Sequence, residues 1–486
     1  MKKFLLKLIK LTAVIGLPCI LNAQNLKLKD DIESSRWLTL NGESRLRYEN
    51  LNGQFRTNNN INDELILLRT LLKFESDLDG ILIGAELQDS RTYIGSPFTP
   101  LSNSFTNPLD ILQLYAKFVD PPFINSYYST TQLNIGRQTI SIGSKRQIER
   151  VSFANVIKSY TGVYFKTEFK NLDELHLFGV VPVKRYPDEF NEIKSNKIVP
   201  DQEQWGRRIW GLHYRRSNIL SNISTDLWGE LFIYGLNEID TSKFQTPNRD
   251  QISPGFRLYR EPNIGDWDID IEAAIRRGTR YLTMNANDTM SLKIKSDMII
   301  GVLGYTFSCQ WNPRLSVEYY YSSGDEDPDD YIFGQHERLF GGRRTDLNNT
   351  SIHGPLTPAN LSAPGIRVQV KPNAYWDGWL QYHAAYLASE TDSWVIPKLQ
   401  DITGQSGTFI GHAIDARFRH WIIPDCLQIE LGASGLIYGQ FIDNVPNGPS
   451  GNKSIFGYTQ LTVSYTHLRA HETREDLGWR GGGGKK

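Results

Sequence analysis

Apolar and polar positions alternate along most of this chain, and the first clear case is Arg36 to Glu49, RWLTLNGESRLRYE. With a period of two, Leu38, Leu40, Gly42, Ser44, Leu46 and Tyr48 fall on one face, and Thr39, Asn41, Glu43, Arg45, Arg47 and Glu49 on the other. The pattern returns in about eighteen segments, the last being Ser454–Tyr465. Trp267, Ile269, Ile271, Ala273 and Ile275 oppose Asp268, Asp270, Glu272 and Arg276, and Ile414, Ala416 and Phe418 oppose Asp415, Arg417 and Arg419. A charge facing lipid at the bilayer midplane costs roughly 2–4 kcal/mol, so a wall of this kind in a membrane has its apolar face outside and its charged face inside.

The connections give an independent check. Those after even-numbered segments are mostly short, as at Asp77-Leu78-Asp79-Gly80, Asn171-Leu172-Asp173 and Gln310-Trp311-Asn312-Pro313. Those after odd-numbered segments are long and polar, as at Tyr93–Pro108, Lys184–Gln204, Glu238–Ser253, Gly324–Pro364, Glu390–Phe409 and Phe441–Lys453. Short periplasmic turns alternating with long outer loops is the wiring of outer-membrane barrels. The pattern predicts an all-β, antiparallel, up-and-down transmembrane barrel of about 18 strands over 36–465, in the outer membrane of a Gram-negative bacterium.

The ends change the picture only slightly. Lys2, Lys3, Lys7 and Lys10 precede the apolar run Leu11–Leu21 and Ala23, the form of a secretory signal over 1–23. Residues 24–35 are expected to be a short periplasmic segment. After Tyr465 the alternation stops, and the tail THLRAHETREDLGWRGGGGKK resembles translated adapter read-through; residues 466–486 are therefore left out of the barrel, and His467, His471 and Glu472 are not read as a metal site. Beyond the leader only Cys309 and Cys426 remain, several strands apart, so two free thiols are expected. The aromatic-rich composition, with 23 Tyr, 22 Phe and 11 Trp among 486 residues, suits a β protein with interfacial girdles. A formal net charge of −1 gives no reason to expect nucleic acid as a partner.

Several blocks resemble the bacterial alginate export family. Gly42-Glu43-Ser44-Arg45-Leu46-Arg47-Tyr48-Glu49 looks like its opening strand. Glu86-Leu87-Gln88-Asp89-Ser90-Arg91, Gly136-Arg137-Gln138 and Gly143-Ser144-Lys145-Arg146 resemble later blocks. Leu339-Phe340-Gly341-Gly342-Arg343-Arg344-Thr345-Asp346 with Gly354-Pro355-Leu356 resembles its long central loop, and Gly411 to Arg419 its late strand. The resemblance implies a monomeric eighteen-stranded barrel, placed in the membrane by the barrel-assembly machinery and in contact with outer-membrane lipid. It also implies an arginine-rich lumen that carries an anionic polysaccharide such as alginate, or its oligouronates.

Strand parity places Arg45, Arg47, Arg69, Lys73, Lys166, Arg276, Arg367, Lys371, Arg417 and Arg419 inward as candidate substrate-binding cations. Guanidinium suits carboxylate because it is always charged and pairs bidentately. The inward acids Glu43, Glu49, Glu75, Glu86, Glu272, Glu318 and Asp415 leave two readings open, a self-satisfied charge ladder or a selectivity ring made of the surplus cations. Arg343 and Arg344 join the candidates if the loop 324–364 folds inward, as the resemblance implies; folded outward, it is a surface epitope. The acidic run Asp325–Asp330 lacks the spacing and glycine of a calcium loop. No phosphate loop, zinc spacing or nucleophile elbow occurs, so neither an enzyme nor a cofactor or metal is expected. Passive transport of anionic solutes is the favoured reading, with uptake of small organic anions and a plugged structural or adhesin barrel as alternatives.

Overall fold

The computed structural model describes residues 38–466 apart from 60, 121–127, 220–225, 286 and 345. The expected leader, the segment 24–35 and all of the tail after Thr466 lie outside the described residues.

Alternation becomes strand where it was predicted. The strands are β1 (Leu38–Asn52), β2 (Asn62–Leu78), β3 (Ile81–Tyr93), β4 (Asn107–Val119), β5 (Tyr128–Gln138), β6 (Tyr160–Phe169) and β7 (Glu174–Lys184). A two-residue β8 (Gln202–Glu203) precedes β9 (Arg207–Arg216), β10 (Leu227–Glu238), β11 (Asp250–Arg260), β12 (Trp267–Tyr281), β13 (Ser291–Thr306) and β14 (Arg314–Ser322). After a second two-residue strand, β15 (Ile332–Phe333), come β16 (Leu361–Val370), β17 (Trp376–Tyr386), β18 (Phe409–Ile423), β19 (Leu427–Tyr438) and β20 (Lys453–Thr466). Leaving out β8 and β15, eighteen strands pair antiparallel in chain order. β1 pairs with β2 on one side and β20 on the other, which closes the sheet into a barrel with no free edge. The strands are the only elements long enough to cross a membrane, since no described helix is long and apolar enough to do so.

Register and burial agree with the predicted faces. Arg45, Arg47 and Glu49 are buried inside while Ser44 and Tyr48 are exposed outside. In β13 the exposed outer residues alternate strictly with buried inner ones. The loop parity also holds: 79–80, 170–173 and 424–426 are tight turns at one end, while 139–159, 185–206, 323–360, 387–408 and 439–452 connect strands at the other. Cys309 and Cys426 are free thiols in two different short turns.

The barrel is not hollow at its long-loop end. Ile140, Ile142 and Ile148 from 139–159 and Leu347 and Leu356 from 323–360 pack in one buried cluster with Trp394, Leu399, Phe441 and Ile442 of later loops. Phe55 lies 5.2 Å from the Trp394 ring, whose Nε1 donates to the Pro355 carbonyl at 2.9 Å. Two outer loops therefore turn into the lumen and build an apolar core there, which pins them against the wall.

Candidate functional site

The two inward loops are fixed to the wall by arginines, and to each other by backbone. From β1 and β2, Arg45, Arg47 and Arg69 converge on one turn of 139–159. Arg45 donates to the carbonyls of Ser152 (3.0 Å), Phe153 (3.1 Å) and Ala154 (2.9 Å). Arg69 donates to Ser152 and Ala154, each at 2.7 Å, and pairs with Glu43. Arg47 reaches the Phe153 carbonyl and pairs with Glu49 at 3.2 Å. Between the loops, Phe340 N–H donates to Gln147 O at 2.9 Å and Gly342 N–H to Lys145 O at 3.1 Å, around a parallel bridge of Ile148 and Phe340. A side chain at Gly341 or Gly342 would collide with the Arg146 carbonyl or the Glu149 carboxylate, which is the physical reason for the Gly-Gly pair in that motif.

Arg146 ties the loops to the far wall. It pairs with Asp270 and Glu272 of β12, each at 2.9 Å, and with Asp346 of the long loop at 3.0 Å. The Asp346 carbonyl accepts in turn from Arg367 at 2.9 Å and from Gln381. The same wall holds Arg257 on Asp270 and Glu230, Arg314 on Asp268, and Arg367 on Glu318. On this arc Arg146, Arg257, Arg314 and Arg367 are each matched by carboxylates.

Between the loops and the wall lies a cavity of about 570 Å³ with a different balance. Nine cations line it: Arg47, Arg344, Arg367 and Arg417, together with Arg56, Lys158, Arg185, Arg338 and Arg343. Among the described residues, Glu149 is the one carboxylate that lines it. The first four have acidic partners, Arg344 with Glu430 at 2.6 Å and Arg417 with Asp377 at 2.7 Å among them. The other five form no ion pair with a described carboxylate. Arg56 donates to Ile352 O and His353 O, Lys158 to Phe340 O, Arg185 to Val156 O, and Arg343 to the carbonyls of Gly354 and Leu356. A carbonyl satisfies a donor without neutralising its charge. Burial accordingly pushes these groups down, Arg56 to about 10 and Arg338 in the same direction; for Lys158 and Arg343, repulsion from neighbouring guanidiniums adds to burial and takes them well below their ordinary values. Burial raises the Glu149 carboxyl even with Lys145 and Lys158 near it. Phe153 forms an aromatic floor, with the Arg344 guanidinium 3.5 Å and the Arg47 guanidinium 3.8 Å from its ring centre.

A second cavity of about 390 Å³ opens towards the short-turn end, lined by Lys73, Lys117, Arg150 and Glu86 with Tyr115 and several amides. Glu75 holds Lys73 at 3.2 Å and Lys117 at 2.8 Å. The segment 149–153 separates the two spaces: Glu149 and Val151 face the first, and Arg150 faces the second.

Five of the residues predicted from sequence, Arg47, Arg343, Arg344, Arg367 and Arg417, therefore line the first cavity, and Lys73 lines the second. Arg45 and Arg69 face inward but are engaged by loop carbonyls. Arg276 is buried against Ser253 and the Glu337 carbonyl. Lys166 sits 3.6 Å from Glu174, Arg419 pairs with Asp377 at 2.8 Å, and Lys371 is exposed one residue past the end of β16. Arg56, Lys158, Arg185 and Arg338 were missed by strand parity because they sit in connections. The signal that could have found 139–159 was present, since this segment is also a long connection after an odd-numbered strand.

A family model described as Alginate export matches residues 36–454. No curated protein sequence matches. Solved structures of similar fold include three from Pseudomonas aeruginosa. OccK3 (OpdO) aligns with a TM-score of 0.52 at 11% identity, over 91% of this chain and 98% of its own. OpdK with vanillate aligns at 0.55 and 11%, over 88% and 98%. OccK2 (OpdF) in complex with glucuronate aligns at 0.55 and 11%, over 89% and 97%.

Proposed function

We propose, for a chain that belongs to the alginate export family and is an outer-membrane β-barrel channel, that its cargo is an acidic polysaccharide or the oligouronates derived from it. The observation that carries this reading is the charge balance of the larger cavity, nine lining cations against one lining carboxylate among the described residues, with five of the cations in no ion pair with a described carboxylate. A polyuronate presents about one carboxylate per sugar, so successive units meet successive guanidinium or ammonium groups, and those charge-assisted bonds form without breaking an existing ion pair. Phe153 and Trp379 add aromatic surface to the lining between the charges. Transport is passive, driven by the gradient of the cargo.

The test is reversal potential and single-channel current of the refolded protein in a planar bilayer under a KCl gradient, with oligouronates titrated in. Anion selectivity with block that strengthens with oligomer length supports the reading, and cation selectivity without block sinks it. A second reading, passage of small organic anions, draws on the cavity size. About 570 Å³ falls within the range of pockets that enclose one small ligand. The glucuronate carried by one fold neighbour is a ligand of that size. Block by a monomeric uronate as strong as block by the oligomers would favour that reading.

A further inference from the structure

We propose that the outer rim of β12 and β13 is a binding site for the phosphorylated head group of a glycolipid in the outer leaflet. The argument starts from the outward face of these two strands. Trp267 and Tyr305 are register partners with rings 5.1 Å apart, and they mark the aromatic girdle at the short-turn end. From there the outward row of β12 runs through Ile271 and Ile275, both exposed, to Arg277. Ten residues at about 3.3 Å each, tilted by about 40°, rise roughly 25 Å, the height of the apolar band of such barrels. The first outward charge of the pair is Asp297, opposite Ile275, and the first outward cations, Arg277 and Lys295, stand two positions further on, where lipid head groups begin.

Those charges are concentrated. Arg277 lies opposite Lys295, and Thr279 opposite Lys293. Register partners lie about 5 Å apart and residues two along a strand about 7 Å apart, so three long cationic side chains are close enough to converge on one phosphate group. Arg277 is shared with Asp297 at 3.1 Å, whereas neither Lys293 nor Lys295 forms an ion pair with a described carboxylate, although both are exposed. The acidic residues 325–330 lie just beyond, where Tyr331 O accepts from Lys293 N–H at 2.8 Å, and none of them neutralises either lysine. Elsewhere on the described outer wall charges are paired, as in Arg91–Asp89 and Arg137–Glu203, or stand singly, as at Lys453. A surplus of cations at head-group height on one arc is complementary to lipid phosphate and draws anionic lipid out of the surrounding bilayer.

The site is separate from the lumen, so its test is separate as well. Native mass spectrometry of the folded full chain in detergent, titrated with diphosphoryl lipid A, reads adduct retention directly. Lys293→Gln with Lys295→Gln is expected to lower retention at least fivefold, and Lys453→Gln to leave it unchanged. Retention in the double variant equal to that of the unmodified protein overturns the proposal. So does equal retention of the dephosphorylated lipid, and displacement by inorganic phosphate would reassign the cluster to a soluble anion. Heat-modifiable gel migration and unchanged channel conductance establish that the variant barrel is intact. If the double variant does not refold, Lys295→Glu, a single change at an exposed position, carries the same comparison with a larger expected loss.

Discussion

Two regions of the lumen use the same residue types to opposite ends. On the arc of β11 to β14, Arg257, Arg314 and Arg146 each face one or more carboxylates on neighbouring strands or on the long loop. Across the lumen, Arg56, Lys158, Arg185, Arg338 and Arg343 crowd round a cavity with one lining acid between them. The first region is a network in which each of these cations is ion-paired, and it holds the loops in place. The second stores positive potential that an incoming anion relieves. An arginine in this barrel is structural or functional according to whether a carboxylate stands opposite it, and the difference is one of partner and not of residue type.

The strongest way to break that contrast is to empty the matched side. Arg146→Ala leaves Asp270, Glu272 and Asp346 facing one another without their shared cation, and removal of one partner from a buried network costs about 3–5 kcal/mol. Unfolding in detergent is expected to shift to lower temperature, with larger and noisier single-channel currents as the loops undock; wild-type behaviour in both would show that the network does not hold them. Gly341→Ala acts on the contact between the loops. Its methyl group meets the Arg146 carbonyl, and overpacking of this kind costs about 1–3 kcal/mol, read as the same destabilisation with the charges untouched.

On the unmatched side the expectation reverses. Lys158→Gln with Arg338→Gln breaks no ion pair with a described carboxylate, so stability holds or rises while oligouronate block weakens about tenfold, equivalent to about 1.4 kcal/mol of binding. A loss of stability with block unchanged would place these residues with the structural network.

The smallest effect sharpens the contrast through pH. Burial, with Asp110 beside it, pushes the Asp201 carboxyl in the β7–β9 connection up to about 7. The folded value lies above the unfolded one of about 3.9, so the fold favours the protonated acid. That stabilisation is complete below about pH 4 and is lost as pH rises through about 7. Asp201→Asn keeps an oxygen to accept from Tyr186 N–H (2.7 Å) and Asn107 Nδ2–H (2.8 Å) but carries no charge. Amide exchange in 185–206, corrected for intrinsic rates, is expected to be slower than wild type at pH 8 and equal at pH 4.

Much of this was legible in the residues. The eighteen long strands and the parity of their connections follow from alternation, because lipid on one side and water on the other demand opposite chemistry at successive positions. The inward direction of Arg45, Arg47 and Arg69 was legible for the same reason; for the loop that bears Arg343 and Arg344 the resemblance to the alginate export family pointed inward but left an outward fold open. The acceptors were not. Nothing in the sequence couples Arg45 to the carbonyls of Ser152 and Ala154, more than a hundred residues away. Nor does any period place Arg56, Lys158, Arg185 and Arg338 round one space, since they sit in four different connections.

The sequence by itself determined the barrel and its two faces, since each is a local property repeated strand after strand. Only the tertiary structure decided which cations are neutralised and which remain to meet an anion. Neutralisation depends on a carboxylate arriving within a few ångströms from a distant part of the chain, and that distance is set by how two loops fold into the lumen and not by any spacing along the chain.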